Sequence, residues 1–234
     1  MNIAFIPVRG GSKSIPLKNI KPFCGKPLVF WTAKAACESH YIDRVYISTD
    51  NQNIRKSVEA FRGEETCFKK IEITDRSPES ATDTASTEIV MLEFCNTHDF
   101  DSIALIQATS PLLTWEDIDR GFAIYKKSQF DSVLSVVAQK RFNWSVDKKG
   151  IAYPSNYDVY NRPRRQDFDG YYVENGAFYI TSREALLKTK SRLSGNIGVC
   201  EMSEDTYFEI DEPSDWIILE TLCKRRLEKE DKLL

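Results

Sequence analysis

Apolar residues fall in short runs separated by stretches of helical period. The runs at 2–8, 44–48, 67–72, 102–107 and 132–137 are rich in Val, Ile, Phe and Tyr and have the length of buried strands. Between them the spacing predicts helices over about 28–38, 51–60, 85–97 and 114–128. Asp50 is a start signal for the second helix, and Thr114 with Asp117 three positions on forms a variant capping box for the fourth. Such alternation predicts an α/β fold, a mostly parallel sheet with helices on both faces.

The alternation stops over 139–174, where Tyr153, Pro154, Tyr157, Tyr160, Pro163, Tyr171 and Tyr172 replace aliphatic strands. An interruption this long is uncommon inside a compact domain and usually functional. It is read as an arm that packs on a second subunit and borders the active site. Strand signals return at 176–181 and 197–202, and a last helix is expected over about 213–228. The charged tail from Lys224 to Leu234 is expected to fray. The expected organisation is one domain over 1–234 with 139–174 as an excursion.

Composition narrows the function classes. With 41% hydrophobic and 29% charged residues and no apolar run near the roughly 18 residues of a membrane span, no membrane partner is expected. The run after Met1-Asn2 is too short for a signal peptide, so a cytoplasmic location is the default expectation. Six scattered cysteines without a CxxC pair, and only His40 and His98, argue against zinc sites and histidine-centred triads and for buried free thiols. A net charge of −3 argues against a nucleic-acid partner. The charge is nonetheless polarised. Residues 1–37 carry Arg9, Lys13, Lys18, Lys21, Lys26 and Lys34 without an acid, whereas 201–220 carry eight acids without a base. Opposed poles of this kind suit a polyanion and its metal ion.

Three stretches hold candidate chemistry, and each has a plain alternative. Arg9-Gly10-Gly11-Ser12-Lys13-Ser14-Ile15-Pro16-Leu17-Lys18-Asn19 follows the first strand, the favoured place for phosphate in an open α/β sheet. Gly10 and Gly11 permit positive φ and an anion nest, with Arg9, Lys13 and Lys18 around it and Asn19 able to bond phosphate or ribose. It lacks the upstream glycine of a Walker A loop, and Pro16 interrupts it. A solvated basic turn is the alternative. Arg76 to Thr87, followed by Ile106 to Leu112, lies where strands end; its small residues admit a flat base and Arg76 suits a nucleotide, though capping and turn formation explain it as well. Glu209 and Asp211 share one side of an extended segment and suit Mg²⁺, whereas Glu212 and Asp215 suit the start of the last helix. The arginines at 162–165 suit a carboxylate or phosphate, or else line a solvated or subunit-facing loop.

In order along the chain, Arg9 to Asn19, Asp83-Thr84-Ala85-Ser86, Gln107 with Ser110-Pro111-Leu112, Arg164-Arg165-Gln166-Asp167, Asn175-Gly176 and Ile210-Asp211 resemble the acylneuraminate cytidylyltransferases. The likeness runs from Ile3 to about Leu222. It implies a Rossmann-like nucleotidyltransferase fold and a homodimer with swapped arms, acting on CTP and an acidic nine-carbon sugar with Mg²⁺ or, alternatively, Mn²⁺. It implies CTP binding by Arg9, Gly10, Gly11, Ser12, Lys13, Lys18, Asn19, Arg76, Ala85, Ser86 and Thr87. It implies sugar binding by Gln107, Arg164, Arg165, Gln166, Asn175 and Tyr179, Arg165 being the foremost partner for the sugar carboxylate. Asp211 is the implied metal ligand with Glu209 beside it, and Lys13, Lys18 and Asp211 the implied catalytic residues. Two positions depart from the pattern: Glu209 stands where members often carry Asp, and Thr87 where they carry serine. The run 162–170 resembles the animal-type enzymes and relatives that accept Kdn, so Neu5Ac and Kdn are the leading acceptors. Kdo, legionaminate and pseudaminate are the alternatives, and a catalytically silent nucleotide-binding or regulatory protein is the rival of another class.

Overall fold

The computed structural model describes residues 1–11, 14–127, 129–230 and 232. The first strand, β1 (Asn2–Pro7), leads through the basic loop to a small hairpin, β2 (Pro22–Phe23) and β3 (Lys26–Pro27), and then α1 (Leu28–Glu38). There follow β4 (Arg44–Thr49), α2 (Gln52–Arg62), β5 (Ile71–Asp75), α3 (Thr87–Cys95), β6 (Ser102–Ile106), α4 (Trp115–Tyr125) and β7 (Ser132–Gln139). A second small hairpin, β8 (Trp144–Val146) and β9 (Ala152–Pro154), precedes β10 (Tyr171–Ser182), α5 (Arg183–Thr189), β11 (Ile197–Met202) and α6 (Pro213–Glu230).

The main sheet has seven strands in the order β11-β7-β10-β6-β1-β4-β5. All its neighbours run parallel except β10, which is antiparallel to both β6 and β7. The exception follows from connectivity. No covering helix joins β7 to β10, so the chain returns as a long hairpin instead of a crossover. Side chains of β1 alternate between the faces. Ala4 and Ile6 pack under α1, α2 and α4 with Val29, Ala33, Ile54, Val58, Ile118 and Phe122. Ile3 and Phe5 pack on α3 and α5 with Val90, Met91, Phe94 and Leu186. Helices therefore cover both faces, as the pattern predicts.

Several local expectations change. The run read as a strand over 67–72 is a 3-10 turn, Thr66–Lys70, followed by β5 at 71–75. Phe68 is buried by an aromatic cluster with Phe30 and Phe61, at centroid distances of 5.4 and 5.5 Å, which explains the apolar signal without a strand. Asn51, not Asp50, caps α2, accepting from the amides of Asn53 and Ile54. Ser86 caps α3 in the same way, so Ala85 and Ser86 precede the helix. The capping box of Thr114 and Asp117 is present in full. The tail is helical to Glu230, held where the Arg226 guanidinium donates to the Leu112 carbonyl at 2.8 Å. All six cysteines are free, but Cys24 and Cys67 are only half-buried. No helix among the described residues is long and apolar enough to cross a membrane.

The excursion leaves β7 at Gln139 and returns along β10, whose first residues, Tyr171 to Glu174, pair with Gln139 to Val136. Phe142, Tyr157 and Phe168 form its own small aromatic cluster, with Arg162 over the Phe142 ring at 4.5 Å. Around this cluster Trp144, Val146, Ile151, Tyr153, Tyr160 and Tyr172 are exposed, Tyr160 at 97%.

Candidate active site

The chain moves from β1 outward to β4 and β5, then crosses to β6 on the other side of β1. Ligands bind at the carboxyl ends of strands at such a switch point. A cleft of about 470 Å³ lies there, lined by Arg9, Ser14, Lys18 and Asn19 after β1, Arg76 after β5, Gln107 to Thr109 after β6, and Asp83, Ala85, Thr87 and Asp211. A larger recess, about 730 Å³, borders α1, α4 and α6. Its cations are engaged: Lys34 by Glu38 and Glu65, Arg120 by Asp117, and Arg226 by the Leu112 carbonyl. Of these two, the first gathers polar groups at the strand ends.

One wall is built around Ile210. Its side chain is fully buried with Ile15, Phe23, Leu28, Trp216 and Leu219, which ties the basic loop to α6. Its amide donates to the Thr109 carbonyl at 2.9 Å, and its own carbonyl accepts from the Lys18 ammonium. With the middle residue anchored, its neighbours Glu209 and Asp211 are left to face other groups. Lys18 is only 8% exposed, yet its ammonium also reaches Asp211 Oδ1 at 3.1 Å. The Ser14 hydroxyl donates to the Asp211 carbonyl, and the Asp215 carboxylate accepts from the amides of Asp211 and Glu212 at 3.0 and 2.7 Å. Asp215 thus serves the start of α6, as expected.

Glu209 is more enclosed. The Thr109 hydroxyl donates to its Oε2 at 3.3 Å. Burial pushes its carboxyl above the usual range; the Asp211 charge adds to this, while the Thr109 bond and Lys18 oppose it. Gly176, at φ +66° in the irregularity of β10 between Glu174 and Tyr179, lies directly against it. A Cβ there would come within 2.4 Å of Glu209 Oε1. Gly176→Ala is therefore expected to cost about 1–3 kcal/mol, from backbone strain and overpacking together. A fall of several degrees in Tm checks this; an unchanged Tm would show that Glu209 moves aside freely.

The basic loop differs in part from expectation. Ser12 and Lys13 lie outside the described residues. Gly10 has a reason for lacking a side chain other than positive φ: a Cβ would lie 2.4 Å from Asn51 Nδ2. Its amide donates to Asp50 Oδ1 at 3.0 Å, which occupies one N–H of the expected nest. Gly11 is exposed, and Asn19 is buried with its amide on the Arg9 carbonyl at 3.2 Å. Arg9 donates to Asp83 Oδ1 at 2.7 Å and to the Thr82 carbonyl at 3.3 Å, bridging the cleft mouth to the 76–87 loop. In the sequence Asp50 reads only as a helix start, and Ser14, Asp83 and Thr109 only as members of longer stretches, so their places at the cleft are new in the structure.

The residues assigned to the sugar divide. Gln107 lines the cleft. Asn175 is 1% exposed and donates through Nδ2 to the Thr206 carbonyl and hydroxyl, both at 3.1 Å. Tyr179 is buried, donates its hydroxyl to Glu174, and has the Arg192 guanidinium 5.0 Å from its ring centre. Burial and the Glu174 bond push its phenol well up. Arg164, Arg165 and Gln166 lie exposed on the excursion, Arg164 paired with Asp167 at 2.6 Å, and none of the three lines the cleft of its own chain. Among the described residues, the only group of three acidic, Cys or His ligand atoms close enough to share an ion is Glu38, Glu65 and Cys67. Lys34 already neutralises its two acids.

Residues 3–233 match the model of the cytidylyltransferase family. The chain belongs to this family. It is 38% identical over 221 residues to the N-acylneuraminate cytidylyltransferase of Oncorhynchus mykiss, covering 93% of this chain and 49% of that protein. To the protein of the same name from Streptococcus agalactiae it is 30% identical over 222 residues, covering 92% and 51%. The chain spans about half the length of these relatives. It is 25% identical over 228 residues to the pseudaminic acid cytidylyltransferase of Campylobacter jejuni, covering 95% and 96%. Among solved structures, CMP:2-keto-3-deoxy-manno-octonic acid synthetase complexed with CTP matches at a TM-score of 0.70 and 18% identity, over 96% of this chain and 99% of that one. That likeness carries the nucleotidyltransferase fold.

Proposed function

We propose that this protein transfers CMP from CTP to the anomeric hydroxyl of a nonulosonic acid, Neu5Ac or Kdn, with release of pyrophosphate. The observation that carries the proposal is the convergence of Lys18, Arg9 and Arg76 with the Asp211 carboxylate in one cleft at the switch point of the sheet. Three cations match a triphosphate, and an acid among them has no use for an anion unless a cation joins the two. The donor set at this wall consists of oxygens alone, Asp211 exposed and Glu209 behind it, which suits a hard divalent ion. Mg²⁺, or Mn²⁺ in its place, would be held there by Asp211 with help from Glu209, and would supply charge neutralisation to the triphosphate.

The protein's own groups do the remainder. Lys18, fixed between the Ile210 carbonyl and Asp211, places a preorganised charge where negative charge grows as the sugar oxygen attacks the α-phosphorus. The new P–O bond forms as the bond to the bridging oxygen breaks, and pyrophosphate departs toward Arg9 and the basic loop. The proton of the attacking hydroxyl passes to solvent in the same step. Arg76 and the segment from Ala85 to Thr87 receive the cytidine, and Gln107 faces the acceptor. Arg165 and Gln166 lie on the exposed excursion, so we assign them to the cleft of a second copy, with Arg165 on the sugar carboxylate. This arrangement requires a homodimer.

The test is pyrophosphate release with CTP and Mg²⁺ across Neu5Ac, Kdn, Kdo, legionaminate and pseudaminate, on fractions whose mass is measured as they elute. Turnover with Neu5Ac or Kdn, confined to a species of twice the chain mass, is the expected result. Preference for pseudaminate or Kdo would reassign the acceptor. Silence with every acid would leave a nucleotide-binding protein without this activity.

A further inference from the structure

We infer that Glu93, on α3 and outside the cleft, is a positioning residue for the nucleotide base, acting on Arg76 through Ser77 and Ser80. The chain of contacts is continuous. Ser77 donates its amide to Glu93 Oε1 at 2.9 Å and its hydroxyl to Oε2 at 3.1 Å, so one carboxylate grips the residue twice. Ser77 in turn holds Ser80: the Ser80 amide donates to the Ser77 hydroxyl at 3.1 Å, and the Ser80 hydroxyl to the Ser77 carbonyl at 3.2 Å. Ser80 is 1% exposed, and its carbonyl accepts two bonds from Arg76, from Nε at 3.0 Å and from Nη2.

The remaining nitrogen of the fork, Nη1, has no hydrogen-bond partner among the described residues. Arg76 makes no carboxylate ion pair among them either, so the Ser80 carbonyl is what orients the guanidinium. Packing does not supply the same restraint. Beside the turn lies a half-open pocket of about 400 Å³, lined by Arg76, Ser77, Val90, Glu93 and Phe94 among others. Packed only in part on that side, the turn relies on its hydrogen bonds for its place. The Glu93 charge also bears on Arg76 directly, opposing the fall in its pKa that burial causes.

A guanidinium held in one orientation discriminates bases by their acceptors. Cytosine offers two adjacent acceptors, ring N3 and O2, whereas uracil carries a hydrogen on N3 that faces a donor with a donor. An Arg76 free to swing would lose much of that distinction. Relaxing Glu93 should therefore weaken CTP and narrow its margin over UTP, without touching the reacting atoms.

This inference rests on the assignment of the cleft to CTP, and binding calorimetry separates the two. CTP and UTP are titrated in the presence of Mg²⁺ into the wild-type chain, Glu93→Ala and Glu93→Gln, with Tm measured for each. In Glu93→Ala we expect CTP affinity to fall about tenfold, the loss of roughly one charge-assisted hydrogen bond, and UTP affinity to change little. Glu93→Gln, which keeps an acceptor for the Ser77 amide, should recover most of the loss. If Glu93→Ala does not fold, Ser77→Ala removes one of the two bonds to Glu93 together with the bond from the Ser80 amide, and should shift the CTP:UTP ratio in the same direction. An unchanged ratio in a folded Glu93→Ala or Ser77→Ala variant overturns the role of Glu93 while leaving the CTP assignment intact. No CTP binding by the wild-type chain overturns both.

Discussion

Replacing Asp211 by alanine should lower pyrophosphate release about a thousandfold or more while leaving the fold intact. The side chain is 71% exposed, and its only side-chain partner among the described residues is Lys18, so the change opens no buried void. Its loss removes the most accessible carboxylate of the wall assigned to the metal ion, an interaction worth several kcal/mol at the transition state; each 1.4 kcal/mol is tenfold in rate. Steady-state kinetics together with Tm provide the check. Turnover within tenfold of wild type would remove Asp211 from the mechanism. A Tm fall of many degrees would mean that its place in the fold, not its charge, explains the loss.

Lys18→Ala should affect both stability and rate, because the same ammonium serves the wall and the reaction. The residue is buried, and its removal leaves the Ile210 carbonyl short of a donor in a part of the core that ties α6 to the basic loop. An orphaned buried acceptor costs about 1–3 kcal/mol, or several degrees in Tm for a domain of this size. Loss of one preorganised donor at a developing charge costs about a hundredfold to a thousandfold in kcat. Lys18→Arg is not expected to rescue, since a planar fork does not fit a slot shaped for a point charge between a carbonyl and a carboxylate. Full activity in Lys18→Ala, measured at saturating CTP, would return Lys18 to a purely structural post.

Much of the fold was legible because one-dimensional pattern and local chemistry agree. The strands at 2–7, 44–49, 102–106 and 132–139 are continuous apolar runs that a sheet buried on both faces demands, and α2 repeats its buried residues at Ile54, Val58 and Phe61. Other elements left too little signal. α5 buries Leu186 alone, so no helical period can be read from it. The apolar run at 67–72 mixed two structures, because Phe68 belongs to an aromatic cluster and Ile71 to a strand. Composition cannot announce that β10 runs antiparallel, since pairing direction depends on how the preceding segment leaves β7.

The candidate site divides in the same way. The sequence by itself determined the classes of group available: a basic, glycine-bearing loop after the first strand, an Ile flanked by two acids before the last helix, and an aromatic excursion rich in arginine. These are local features, carried by residue type and spacing. Only the tertiary structure decided which of them meet. It brought Lys18 across 193 residues to Asp211, set Gly176 against Glu209, occupied the Gly10 amide with Asp50, and left Arg164 to Gln166 outside the cleft of their own chain. Such pairings arise from the order of strands in the sheet and from the anchoring of Ile210 in a shared core. Both are non-local, and residue spacing along a chain does not encode them.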